Sequence, residues 1–123
     1  MIVGIGIDAV QISRLEKWIH DPDLLERFFN ARELETVHER GKGMIRSLAA
    51  RFAAKEAFGK ALGTGLAGIV LKDIMVLNRQ DEKPLLHLEG SAMEAMKRAG
   101  AKQIHLSLTH DGDTALASVI LEA

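Results

Sequence analysis

Apolar and polar positions change rhythm twice along this chain of 123 residues. Residues 2–10, Ile-Val-Gly-Ile-Gly-Ile-Asp-Ala-Val, form an almost unbroken β-branched run and predict a buried strand. Gly4 and Gly6 inside it predict a neighbour that packs closely. The rhythm then turns helical. Gln11 to His20 fits a short helix with Ile12, Leu15 and Ile19 inside and Arg14 and Lys17 outside. Asp21-Pro22-Asp23 breaks it, and Asp23 is placed to cap a helical Leu24 to Phe29. Asn30 starts a further helix, Ala31 to Glu39, with Glu33 where a capping box has its acid. Gly41-Lys42-Gly43 reads as a flexible joint.

The longest periodic run follows, from near Met44 to a stop at Gly63, rich in strong helix formers. Ala50, Ala53, Ala54, Ala57 and Ala61 make one stripe, small enough for another backbone to approach. Phe52, Glu56 and Lys60 make a second stripe, flanked by Lys55. Beyond it the pattern returns to strands. Ile69 to Asn78 reads mostly as one strand, and Leu85 to Glu89 as another after Pro84. Ser91 to Ala99 reads as a helix capped near Gly90 or Ser91. Gln103 to Thr109 and Thr114 to Leu121 predict an antiparallel hairpin about Asp111-Gly112-Asp113. The fold expected is α+β: one domain over 1–123, with one long helix packed on a small, mainly antiparallel sheet. Strand order does not follow from the pattern.

Composition narrows the chemistry. A hydrophobic content of 47% excludes a disordered chain. A formal net charge of -1 gives no global basic field for nucleic acid, and the absence of Tyr weakens any base-stacking platform. With no Cys, thiol catalysis, disulfides and thiolate zinc sites are excluded. No apolar run approaches a membrane span. The opening residues lack a basic stretch and meet Asp8 at once, so no signal peptide is expected and a cytoplasmic location is.

Two carboxylates stand out. Asp8 lies within an apolar strand, where a carboxylate is costly unless paired or bound to a cation. It reads either as a strand-end residue turning the chain or as a ligand. Glu56 lies one turn before Lys60 on the alanine-rich helix. That stripe reads either as a solvated face with an ion pair, or as a place where a metal and phosphates meet. Gly63-Thr64-Gly65-Leu66-Ala67-Gly68 matches a dinucleotide fingerprint but follows a helix rather than a strand, so it reads as a helix stop and turn that can bring backbone N–H groups to a phosphate. His110 sits at a strand end, either bonded to its turn or functional; His105, five residues earlier, faces the other way.

Gly4-Ile5-Gly6-Ile7-Asp8 followed by Arg51-Phe52-Ala53-Ala54-Lys55-Glu56-Ala57-Phe58-Gly59-Lys60 resembles the two-part signature of the phosphopantetheinyl transferases. The length, Gly63-Thr64-Gly65, Lys83-Pro84 and Ser107-Leu108-Thr109-His110 are similar to the small bacterial branch of that family. The resemblance implies transfer of 4′-phosphopantetheine from coenzyme A to a serine of an acyl carrier protein, releasing adenosine 3′,5′-bisphosphate. It implies Mg²⁺ held by Asp8 and Glu56, with Glu56 deprotonating the serine directly or through a water. Lys60 would stabilise the departing phosphate, and His110 would contact a coenzyme A phosphate. Lys42, Gly63 and Gly65 would line the nucleotide pocket, with Pro84 near the adenine. It also implies a homotrimer whose sites lie between subunits, and a basic docking face for the acidic carrier, for which Arg14, Lys17 and Arg27 are the candidates.

This chain departs from the pattern at Gly59, where relatives often have Ser, and at Glu82, where Gly is common. Two other readings stand beside the enzyme. One is a regulatory module that binds coenzyme A without chemistry; the other is a structural trimer with a buried polar pair.

Overall fold

In a computed structural model, which describes Met1–Ala123, five strands and three shorter α-helices surround one long central helix. Strand β1 (Ile2–Gln11) runs into a 3-10 helix (Ile12–His20), followed by α1 (Pro22–Phe28) and α2 (Ala31–His38). A 3-10 turn, Gly41–Gly43, leads into α3 (Met44–Leu62). Then come β2 (Ile74–Asn78), β3 (Pro84–Leu88), α4 (Gly90–Arg98), β4 (Gln103–Asp111) and β5 (Thr114–Glu122). The α+β architecture expected from the sequence is the one observed. The strands form two antiparallel sheets, one ordered β1-β5-β4 and the other β2-β3. The C-terminal strand thus sits between the N-terminal strand and its own hairpin partner.

The three-stranded sheet packs its inner face on α3, and the alanine stripe is why it can. Ala53, Ala54, Ala57 and Ala61 are all buried there. A Cβ added at Gly4 would lie 1.8 Å from the Ala61 carbonyl oxygen, and one at Gly6 1.9 Å from that of Ala57. Both glycines are therefore required by the approach of β1 to the helix backbone. Inward positions of the sheet (Val10, Ala115, Ala117, Val119, Leu121) complete this layer.

Four local expectations need correction. First, residues 12–20 form a 3-10 helix, whose period of three aligns Ile12, Leu15 and Trp18; Trp18 is therefore buried in place of Ile19. Second, Asp21 caps α1, not Asp23: its carboxylate accepts from the Leu24 N–H at 3.1 Å, and Pro22 occupies the first turn. Third, only Ile74–Asn78 of the expected 69–78 strand is paired as a strand, because Leu71–Asp73 forms a 3-10 turn. The Lys55 ammonium takes the Leu71 and Ile74 carbonyls, so that turn cannot join a ladder. Fourth, α4 begins at Gly90 with no cap of its own. Asp73 supplies one, accepting from the Ser91 N–H at 2.9 Å and the Ser91 hydroxyl at 2.6 Å.

The residues at 41–43, expected to be a loose joint, form a turn with Gly41 at φ 55°. The capping box at Asn30 and Glu33 is present. Glu33 does more than cap. It is fully buried and pairs with fully buried Lys55 at 2.7 Å, while its other oxygen accepts from the Val76 N–H at 3.0 Å. Lys55 also lies 5.3 Å above the Phe29 ring. Lys55 is thus turned away from the Glu56 stripe it neighbours in sequence. Burial lowers the Lys55 pKa, against the opposing charge and hydrogen bond of Glu33.

Candidate active site

Asp8 stands on the inner face of β1 and Glu56 on the flank of α3 that leaves the sheet. The close glycine–alanine contact of these two elements brings the carboxylates together. Burial pushes the Glu56 carboxyl above its ordinary pKa, and the charge of Asp8 pushes it further; Lys60 and Arg14 pull it back. Lys60 reaches across from α3, donating to Asp8 at 2.9 Å and to the Ile7 carbonyl at 3.1 Å. The Asp8 side chain is 16% exposed and that of Lys60 54%, so the cluster opens to solvent.

Two carboxylates and one half-exposed ammonium share this opening. No group of three or more His, Cys, Asp or Glu side chains could hold a metal from this chain alone. The donor set nonetheless fits Mg²⁺, which takes one or two carboxylates and fills its remaining positions with water and substrate phosphates. A second cation between Asp8 and Glu56 would also relieve the repulsion that raises the Glu56 pKa.

Gly63 closes α3 in the left-handed conformation at φ 82°. The chain then folds back, with the Gly65 N–H donating to the Gly59 carbonyl at 3.0 Å. Gly59 leaves the space for this: a Cβ there would lie 2.9 Å from the Gly65 carbonyl carbon and from Leu66 Cδ2. The room made by Gly59 is occupied by the turn itself.

His110 lies elsewhere. It is exposed near the end of β4, and β5 separates it from β1, so it stands about 10 Å from β1 across the sheet. There it lines a cavity of about 310 Å³ with Pro84, Thr109, Asn78, Ser47 and three arginines, Arg40, Arg46 and Arg51. Arg51 is 4% exposed and is held by Ser47 and by Asn78 Oδ1, the latter at 3.3 Å; its Nε has no partner. Burial pulls the Arg51 pKa down; Glu33 restores part of it, and Arg40 lowers it further. A cavity with this lining is built for an anion. The sequence reading quoted Arg51 only as part of the signature and assigned no role to any of the three arginines. Lys42, expected here, is exposed in the turn between Arg40 and Gly43 and does not line the cavity.

One chain does not bring its two sets of candidates together. Ser47 and Arg51 lie on one flank of the alanine stripe and Glu56 and Lys60 on the other, half a helical turn away. Ser47 and Lys60 are also about 20 Å apart along the axis. Gly63 and Gly65 lie at the carboxylate end, Pro84 and His110 at the arginine end.

The docking candidates Arg14, Lys17 and Arg27 are all exposed. Arg14 and Lys17 align on the 3-10 helix, three residues apart. Between them and α1 lies an aromatic group that the sequence reading did not assemble. Trp18 stacks 5.4 Å from Phe28 and 5.2 Å from Phe52, the residue one turn before Glu56.

Residues 4–118 match the family model of the 4′-phosphopantetheinyl transferase superfamily. The chain is 62% identical over 122 residues to the holo-[acyl-carrier-protein] synthase of Treponema denticola, covering 99% of both chains. The crystal structure of the Neisseria meningitidis holo-[acyl-carrier-protein] synthase superposes with a TM-score of 0.89 at 32% identity, covering 100% of both chains. That of the Bacillus anthracis enzyme in complex with coenzyme A (3′,5′-ADP) superposes with a TM-score of 0.83 at 35% identity, covering 100% of this chain and 98% of that one. With a family match spanning nearly its whole length and relatives of this likeness, the chain belongs to the 4′-phosphopantetheinyl transferase superfamily.

Proposed function

We propose that this protein is a holo-[acyl-carrier-protein] synthase, which moves 4′-phosphopantetheine from coenzyme A to a serine of an acyl carrier protein in fatty acid biosynthesis. The observation that carries the site assignment is the meeting of Asp8, Glu56 and Lys60 where β1 crosses α3. The serine oxygen bonds to the phosphorus that carries the pantetheine arm. The bond from that phosphorus to the bridging oxygen breaks, and adenosine 3′,5′-bisphosphate leaves with the electron pair. Glu56, with its raised pKa, takes the serine proton directly or through a water. Lys60, whose half-exposed ammonium sits on Asp8, is the cation that would stabilise the departing phosphate. Asp8 and Glu56 are the residues that would hold Mg²⁺, which supplies neutralisation of pyrophosphate charge when bound.

The nucleotide end of coenzyme A belongs in the arginine-lined cavity, with His110 on a phosphate and Pro84 near the adenine. Because that cavity and the carboxylates face apart in one chain, a complete site takes its halves from two neighbouring subunits. An uncovered apolar sheet face supports this trimeric reading. Ile5 and Ile7 on β1 are 64% and 61% exposed, and they pair with Ile120 and Ser118 on β5. Basic Arg14, Lys17 and Arg27 around the Trp18–Phe28–Phe52 group are the surface for the acidic carrier. No helix is long and apolar enough to cross a membrane, and the lack of Cys suits the cytoplasm, where this reading places the protein.

Intact-protein mass spectrometry of an apo acyl carrier protein incubated with this protein, coenzyme A and Mg²⁺ tests the reading. The expected result is a mass gain of one phosphopantetheine that EDTA abolishes. A gain that survives EDTA would keep the enzyme and remove the two-carboxylate metal site. No gain with several carriers would leave a coenzyme A-binding module.

A further inference from the structure

The β4–β5 turn and the start of the 3-10 helix meet at one residue. Asp113 is the second of the two turn residues that follow Asp111. Its carbonyl accepts from the Ile12 N–H at 2.7 Å. Its carboxylate accepts from the Ser13 N–H at 2.9 Å and from the Ser13 hydroxyl at 2.6 Å. The helix has no cap of its own, since the Gln11 side chain makes no such bond. Its first N–H groups are therefore satisfied by a residue a hundred positions away in sequence.

That arrangement matters because of the kind of helix it holds. The 3-10 geometry makes poor hydrogen bonds, and runs beyond three or four residues are uncommon. This one spans nine residues and depends on outside contacts. Leu15 and Trp18, both buried, hold its middle. Asp113 holds its first turn, immediately before Arg14.

We propose that Asp113 is a positioning residue for the carrier protein: by clamping Ser13 it fixes the docking helix so that Arg14 and Lys17 face an acidic partner. The inference rests on the docking role proposed above for those two cations.

Charge makes the test a matter of sign. Asp113 is an anion beside a cationic surface. Acting through charge alone, its removal would strengthen attraction to an acidic carrier and lower the KM. Acting as a clamp, its removal raises the KM. Ser13→Ala loses the hydroxyl contact with no change of charge and separates the two effects again.

The experiment is steady-state transfer by the full-length protein, with apo acyl carrier protein and coenzyme A varied separately. Asp113→Ala and Ser13→Ala are each expected to raise the KM for the carrier by roughly three- to tenfold, the scale of the net contribution of one hydrogen bond. The KM for coenzyme A and the maximal rate stay near wild type. Asp113→Asn keeps one carbonyl acceptor and falls between wild type and Asp113→Ala. The double variant is no worse than Asp113→Ala, because both changes break one interaction. Arg14→Ala is the reference. If it raises the KM for the carrier while Asp113→Ala leaves it unchanged or lowers it, the clamp is wrong and docking stands. If Arg14→Ala has no effect, the docking role fails and the clamp with it. A rise in the KM for coenzyme A equal to that for the carrier also overturns the proposal, since the whole hairpin with His110 would then have moved.

Discussion

At the scale of single residues, Glu56, the proposed general base, stands where its charge costs stability. Its carboxyl is held above its ordinary pKa by burial first and by Asp8 second. An acid whose folded pKa is raised binds its proton more tightly in the native state. Its contribution to stability is complete below the unfolded value of 4.5 and is lost as pH rises through the higher folded value. Near neutrality, without divalent ions, ionised Glu56 therefore works against the fold. Glu56→Gln keeps the shape and removes the charge. It is expected to raise the thermal midpoint at neutral pH in EDTA and to flatten the fall in stability above pH 4.5. The same variant should lose transfer by about a hundredfold or more, the usual effect of deleting a general base. Melting curves across pH and mass-spectrometric rates check the two halves. A variant less stable than wild type in EDTA, or one that transfers normally, contradicts this account of Glu56.

At the scale of elements, the site depends on how closely β1 lies on α3. Gly6 carries no side chain because the Ala57 carbonyl occupies the place a Cβ would take. That obstacle is backbone and cannot rotate away, so Gly6→Ala must lift the strand from the helix. Overpacking of this kind costs about 1–3 kcal/mol or more. The lift also parts Asp8 from Glu56, so the folded fraction should lose activity as well. Thermal denaturation with activity measured on the folded fraction tests both, and a midpoint matching wild type would sink the argument. The glycines and the alanine stripe made this contact legible in the sequence, since small residues on two elements signal close approach. The ends of α3 and the capping box at Asn30 were legible because their signals lie within a few residues. What could not be read depends on distant partners. The 3-10 period of residues 12–20 follows from packing and from Asp113. The cap of α4 comes from Asp73, and the burial of Lys55 from a glutamate on another helix. Asp8 was legible because a carboxylate in an apolar strand is costly, and Glu56 because it shares a helical stripe with Lys60 beside the alanines. Arg40, Arg46 and Arg51 were not, because only the fold gathers them around one cavity.

At the scale of the whole molecule, α3 separates the two groups of residues proposed to act in one reaction. The carboxylates and Lys60 occupy one flank, and the arginines with His110 the other. If each trimeric site takes Asp8 and Glu56 from one subunit and His110 from the next, defects on the two sides should complement. Glu56→Gln and His110→Ala homotrimers are each expected to be inactive or strongly impaired. When the two are dissociated and reassembled together, some interfaces pair the intact Glu56 of one chain with the intact His110 of the other. Random assortment makes such sites about a quarter of the total, because closed cyclic assembly gives every subunit one neighbour on each side. Transfer should therefore return to about that fraction of wild type, in a sample whose mass is trimeric by light scattering. Sites contained within one chain would return nothing on mixing, because every chain would still carry its own defect. Recovery that also appeared without subunit exchange would equally exclude the shared site. Exchange-dependent recovery is the outcome expected if the uncovered Ile5–Ile7 face and the two separated groups of residues both reflect the proposed trimer.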